Sequence, residues 1–124
     1  GTGKNIRDWI FVEDHCDAII DVLIKGKSGE SYNISAGNEI DNITIIKKIL
    51  TIVGKPLENI EFVEDRPGHD FRYSMESTKI RNTLGWSQKK KFEEGLKKTI
   101  DWYLENKEWW MNLDQKMLGA TPWK

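Results

Sequence analysis

Hydrophobic positions along the chain change their spacing several times, and each change predicts a switch between strand and helix. Arg7–Val12 is aromatic and β-branched and reads as a strand. Glu13, Asp14 and Asp17 follow at once, and carboxylates there suit the positive end of a helix dipole. Cys16, Ile19 or Ile20, and Leu23 then share one apolar helical face, with Gly26 and Gly29 turning the chain into a short strand at Tyr32–Ile34. Asn42 is the expected cap of a second helix, with Ile43, Ile46, Ile49 or Leu50, and Val53 on its inner stripe and Gly54 as its stop. Ile60–Val63 is a further strand candidate. Pro67-Gly68 demands a turn, because Pro presets φ and Gly accepts the positive φ of a type II turn. Phe71, Tyr73 and Met75 alternate with polar neighbours at strand period. Ser77 or Thr78 caps a short helix carrying Ile80 and Leu84 and ended by Gly85. A longer helix from Phe92 to Asn106 carries Phe92, Leu96, Ile100 and Tyr103 inward, and the tail from Trp109 to Lys124 has no clear period. The expectation is one mixed α/β domain of short strands and four helices.

Composition narrows the functions open to such a domain. At 124 residues, 38% hydrophobic and 31% charged, the chain can both bury a core and coat it. No apolar run is long enough to span a membrane, and no secretory h-region opens the chain. A net charge of −1 argues against a broad nucleic-acid-binding face while leaving room for a small anion site. The single cysteine, Cys16, cannot close an internal disulfide and is read as a small core residue, with the cytoplasm as the expected compartment. The chain opens at Gly1-Thr2-Gly3 without an initiating Met, which suggests a piece of a longer protein.

Arginine is the most informative residue type. Of the 19 basic residues only Arg7, Arg66, Arg72 and Arg81 are arginines. A guanidinium offers a planar fork to phosphate or carboxylate that lysine cannot copy. Arg66 and His69 stand at the two ends of the Arg66-Pro67-Gly68-His69 turn, whose outer Cα atoms lie within about 7 Å, so both side chains can reach one ligand. Arg7 begins the first strand. The residues alone leave two readings, an anion site or surface salt bridges to Asp8, Asp65 and Asp70, and composition favours the second.

Other signals reduce to structure. The Glu13-Asp14-His15 run diverges at a helix start and does not converge on a metal ion. His69 is better read as a hydrogen-bond donor to an anion than as a general base. Gly1-Thr2-Gly3 lacks both the preceding strand and the third glycine of a phosphate loop. Tyr103 and Lys107 match a Tyr-x-x-x-Lys pattern, but with Tyr103 expected on the buried stripe and Lys107 at a helix end the match is a coincidence. Lys89-Lys90-Lys91 reads as a solvated turn, and the tryptophans as core or interface anchors.

Three stretches taken together go further. Gly3-Lys4-Asn5-Ile6-Arg7-Asp8-Trp9-Ile10-Phe11-Val12-Glu13-Asp14-His15, Gly29-Glu30-Ser31-Tyr32-Asn33-Ile34 and Asp65-Arg66-Pro67-Gly68-His69-Asp70-Phe71-Arg72-Tyr73 occur in that order. The set resembles the C-terminal part of the dTDP-glucose 4,6-dehydratase family, within the extended short-chain dehydrogenases/reductases. The likeness continues through Leu84-Gly85-Trp86, Phe92-Glu93-Glu94-Gly95-Leu96 and Trp102-Tyr103, with Trp109-Trp110 and Thr121-Pro122-Trp123 also similar.

The resemblance implies that residues 1–124 are a small mixed α/β substrate-binding domain whose NAD-binding Rossmann domain is missing. By resemblance, Arg7, Asn33, Arg66 and His69 hold a nucleotide-sugar, the arginines chiefly at its pyrophosphate, while Asp70, Arg72 and Tyr73 hold the turn and strand. The implied reaction of the parent converts dTDP-glucose to dTDP-4-keto-6-deoxyglucose. NAD⁺ takes hydride from C4, water leaves across C5–C6, and hydride returns at C6. The resemblance also implies a homodimeric parent that uses NAD, and a chain that by itself holds no NAD, catalytic residue or metal, binds neither nucleic acid nor membrane, and exposes apolar surface through which it self-associates. Two alternatives stand beside it: the substrate domain of another nucleotide-sugar epimerase, decarboxylase or dehydratase, or a stand-alone binding or assembly module.

Overall fold

A computed structural model describes residues 1–113, so Trp123 and the rest of the tail lie outside the described residues. The elements run β1 (Ile6–Asp8), α1 (Val12–Lys25), β2 (Glu39–Asp41), α2 (Asn42–Ile52), β3 (Arg72–Tyr73), α3 (Thr78–Leu84), α4 (Phe92–Glu105) and α5 (Lys107–Met111). A 3-10 turn, Leu57–Asn59, follows α2. The three strands form one sheet in the order β2-β1-β3, with β1 antiparallel to β2 and parallel to β3. In register, Arg7 faces Ile40 on one side and Tyr73 on the other.

The strands are shorter than the sequence pattern predicts. The first stops at Asp8, because helix α1 already begins at Val12. Tyr32–Ile34 is not a strand. The antiparallel partner of β1 is Glu39–Asp41, whose acidic residues give no strand signal. Ile60–Val63 is irregular, with Phe62 and Val63 exposed, and the expected Phe71–Met75 strand is paired only over Arg72–Tyr73. The turn before it does carry Gly68 at φ 68°, the conformation that glycine supplies without strain.

The helices fall where their punctuation puts them, but not always on the face expected. Asp41, rather than Asn42, caps α2 by accepting from Thr44 N at 2.7 Å. Ile45 is the buried residue of α2, whereas Ile46 is exposed. Helix α3 buries Ile80 and Leu84 and ends at Gly85 in the left-handed region, φ 72°. In α4, Gly95 and Ile100 are buried and Tyr103 is exposed, its ring edge-on to Trp102 and Trp109. The Tyr103–Lys107 match remains a coincidence for a different reason: Asn106 breaks the helix and Lys107 opens α5, a fifth helix.

Helix α1 departs most from expectation. Its leaner face turns inward: Ala18 is fully buried, Asp14 is 2% exposed, and Val22 packs beside them. Ile19, Ile20 and Leu23 face solvent, Leu23 at 83% exposure, and Cys16 is exposed rather than in the core. Asp14 explains the inversion. Its carboxylate accepts the backbone N–H groups of Lys89 and Lys90, each at 3.0 Å, and its carbonyl accepts from the Trp86 indole at 3.1 Å. The lysine run is thus partly anchored by its backbone, while Lys89 Nζ also reaches Asp17 at 2.5 Å. Ala18, Ile80, Leu84 and Trp86 form the core, with Ile10, Val22, Tyr32 and Ile34 packed against it. This core lies between α1 and α3.

Candidate functional site: an arginine–histidine cluster on the sheet

β1 and the turn before β3 bring two of the sequence-predicted site residues into contact. Arg7 Nη2 donates to His69 Nε2 at 2.9 Å and to the carbonyl of Asp70 at 3.0 Å, while Nη1 donates to its own strand at Ile6 O, 2.6 Å. The turn is held from below as well. Ile6 N donates to Phe71 O at 2.8 Å, and the Asn5 amide donates to Asp70 O at 3.2 Å. Residues more than sixty positions apart therefore meet because β1 and β3 pair in parallel.

Asp65 completes the cluster. Its Oδ1 lies 2.7 Å from His69 Nδ1 and accepts the Arg66 N–H at 2.9 Å. The hydrogen bond from His69 holds the Asp65 carboxyl below the ordinary aspartate range; burial opposes it, and the Arg66 amide adds to the lowering. Asp65 entered the sequence reading only as a possible arginine partner. The signal that would have found its role is its place four residues before His69, across a Pro-Gly turn.

The salt-bridge reading of the arginines divides. Arg72 does make an ion pair, Nε and Nη2 meeting the two carboxylate oxygens of Glu39 at 2.6 and 2.7 Å across the intervening β1. Ser74 Oγ adds a donor at 2.8 Å, and the two partners together hold Glu39 below the usual carboxylate range. Arg81 donates to Ser35 O and Gln88 instead. Among the described residues Arg7 pairs with no carboxylate. Asp8 points to the Ala36–Asn38 loop, where it accepts three backbone N–H groups, and Asp70 meets Arg7 through its carbonyl. Arg66 is exposed, and among the described residues its guanidinium has no carboxylate partner. Asn33 stands apart from this cluster. It is exposed, and its amide donates to Glu76 O at 3.1 Å. The cavity of about 550 Å³ lined by Phe11, Val12, Lys98, Trp102 and Tyr103 lies elsewhere and includes none of these site residues.

An anion meeting this surface finds an arginine fork already oriented by a histidine and a second arginine with a free head on the same turn. Guanidinium forks left without a carboxylate are the donors that phosphate groups call for.

The sequence model for GDP-mannose 4,6 dehydratase matches residues 1–99, and the chain belongs to that family. Within it the chain is similar to a dTDP-glucose 4,6-dehydratase of Escherichia coli, 48% identical over 91% of this chain and 34% of the relative. The fold matches the dTDP-glucose 4,6-dehydratase of Bacillus anthracis solved in complex with NAD, at TM-score 0.86 and 46% identity over 92% of this chain and 36% of that one. It also matches the enzyme of Streptomyces venezuelae, again with NAD bound, at TM-score 0.88 and 39% identity over 92% of this chain and 35% of that one. The chain thus spans about a third of the length of these relatives.

Proposed function

We propose that the chain is the nucleotide-sugar-binding part of a dTDP-glucose 4,6-dehydratase, a cytoplasmic NAD-dependent lyase whose other two-thirds lie outside it. The observation that carries this reading is the Arg7–His69 contact, together with an Arg66 on the same turn as His69 that has no carboxylate partner among the described residues. A diphosphate needs several convergent N–H donors, and buried or half-buried arginine that pairs with carbonyls and a neutral ring keeps its positive charge for a ligand. In this reading Arg7 and Arg66 take the pyrophosphate with His69 beside Arg7, and Asn33 supplies a neutral hydrogen bond to the nucleotide-sugar. Conversion of dTDP-glucose to dTDP-4-keto-6-deoxyglucose belongs to the whole parent.

The residues of this chain do not fit NAD. A dinucleotide pyrophosphate sits on free amides at a helix N-terminus that follows a glycine turn. The glycines here lie next to the start of α2, but the amides of that start are already taken. Asn42 N donates to Asn5 O, Ile43 N to Gly3 O, and Thr44 N to Asp41. A Cβ on Gly3 would come within 3.0 Å of Ile43 Cβ, so its openness is used for packing. The hydride steps therefore belong to other parts of the parent, and the role of this chain is to bind and orient substrate.

Titration of the parent protein with dTDP-glucose and UDP-glucose tests the reading. Binding of dTDP-glucose should be the tighter, and Arg7→Lys should weaken it about tenfold or more, since one ammonium cannot replace a fork that spans ring and carbonyl. Equal affinity for both sugars would favour the substrate domain of a different nucleotide-sugar enzyme, and unchanged affinity in Arg7→Lys would remove the site.

A further inference from the structure

We infer that Asp65 is a positioning residue, which fixes the tautomer of His69 and through it aims the Arg7 guanidinium. The argument starts from what each atom can do. A guanidinium carries only donors, so His69 Nε2, 2.9 Å from Arg7 Nη2, must offer its lone pair. A neutral imidazole has one donor and one acceptor nitrogen, so the proton sits on Nδ1. That is the nitrogen 2.7 Å from Asp65 Oδ1, an acceptor. The three side chains thus form a directional chain in which Arg7 donates to His69 and His69 donates to Asp65.

The opposite tautomer would place an N–H against an N–H at Arg7 and two lone pairs together at Asp65. Protonation of both ring nitrogens would break the Arg7 contact in the same way. Asp65 is itself held in place, because the same Oδ1 accepts the Arg66 N–H at 2.9 Å. One carboxylate oxygen therefore sets the ring of His69 and the backbone of Arg66 together, joining both ends of the Arg66–His69 turn. Arg7 is fixed on its remaining side by the Asp70 carbonyl, 3.0 Å away.

The inference rests on the proposed function only for its consequence, that a correctly aimed Arg7 binds a diphosphate. The test separates the two. In the parent protein, nitrogen NMR on histidine-labelled material, with His69 assigned by loss of its signals in His69→Gln, reads the tautomer directly. Binding of dTDP is measured on the same samples. The wild type should show Nδ1–H at neutral pH. Asp65→Ala should lose that tautomer and bind dTDP about tenfold more weakly, the order of one misdirected charge-assisted hydrogen bond. Asp65→Asn keeps an acceptor Oδ1 and should restore both the tautomer and most of the affinity, which a purely structural loss at the turn would not do. A His69 that stays Nδ1–H in Asp65→Ala, or an Asp65→Asn protein that folds and shows Nε2–H, overturns the inference. A lost tautomer with undiminished dTDP binding supports the positioning of the ring and overturns the proposed site instead.

Discussion

At the scale of single residues the carboxylates, not the arginines, carry the pH dependence. Asp65 is lowered chiefly by the hydrogen bond from His69, and Glu39 chiefly by that from Arg72. A carboxyl whose folded pKa is depressed contributes stability that is present above its unfolded value, about 4 for either residue, and is lost as pH falls through the lower folded value. Chemical unfolding measured from pH 5 downward should therefore show stability dropping below about pH 4. Glu39→Gln should flatten that decline, and a decline of equal slope in the variant would show that the Arg72 pair contributes nothing to it. Much of this cluster was legible in the sequence. Four arginines in a lysine-rich chain marked the anion-binding candidates, and the Pro-Gly turn brought Arg66 and His69 together. What the sequence could not show was direction. Asp8, next to Arg7, points to a distant loop, and Asp70 uses its carbonyl, so adjacency named the wrong partners.

At the scale of elements, helices were read better than strands, for a physical reason. Strands of two or three residues are too short for a period of two to repeat, and two of the three residues of β2, Glu39 and Asp41, disfavour strands. Pairing with β1 overrides propensity there. Helix stops such as Gly85, whose left-handed conformation needs glycine, are local signals and were found. Helical faces are tertiary and were found only in part: Ile80, Leu84 and Ile100 are buried as their spacing predicts, whereas Ile46 and Tyr103 are exposed. In α4 one of the buried positions beside Ile100 is Gly95, which no search for apolar stripes selects. Its hydrogen lets the helix approach Phe11, and a Cβ built at that position would stand 2.9 Å from Phe11 Cβ. Alanine normally gains up to about 1 kcal/mol over glycine inside a helix. Here the clash with a rigid part of Phe11 outweighs that gain, and Gly95→Ala should destabilise by about 1–3 kcal/mol in denaturant unfolding. A stabilised variant would show that α4 and Phe11 are less closely packed than the structure has them.

At the scale of the whole molecule, the arrangement of α1 decides the behaviour of the isolated chain. Val12, Cys16, Ile19, Ile20, Leu23 and Ile24 recur at helical spacing and all face solvent, while the core takes the opposite side through Asp14, Ala18 and Val22. The amphipathic pattern is thus inverted with respect to the described core. A continuous apolar stripe of this kind is retained in water only at the cost of association. The relatives are about three times as long as this chain, and the parent's remaining residues are the natural cover for the stripe in the proposed function. Without them, two copies of the chain can cover each other. Sedimentation at rising concentration should show self-association, and Cys16, on the stripe, should react more slowly with a thiol reagent as concentration rises. Ile20→Lys with Leu23→Glu should abolish both effects with little change in folding stability, since both side chains are exposed. A wild-type chain that stays monomeric with a constant Cys16 rate would mean that the stripe is tolerated in water, and that the inverted face of α1 is no mark of a missing partner.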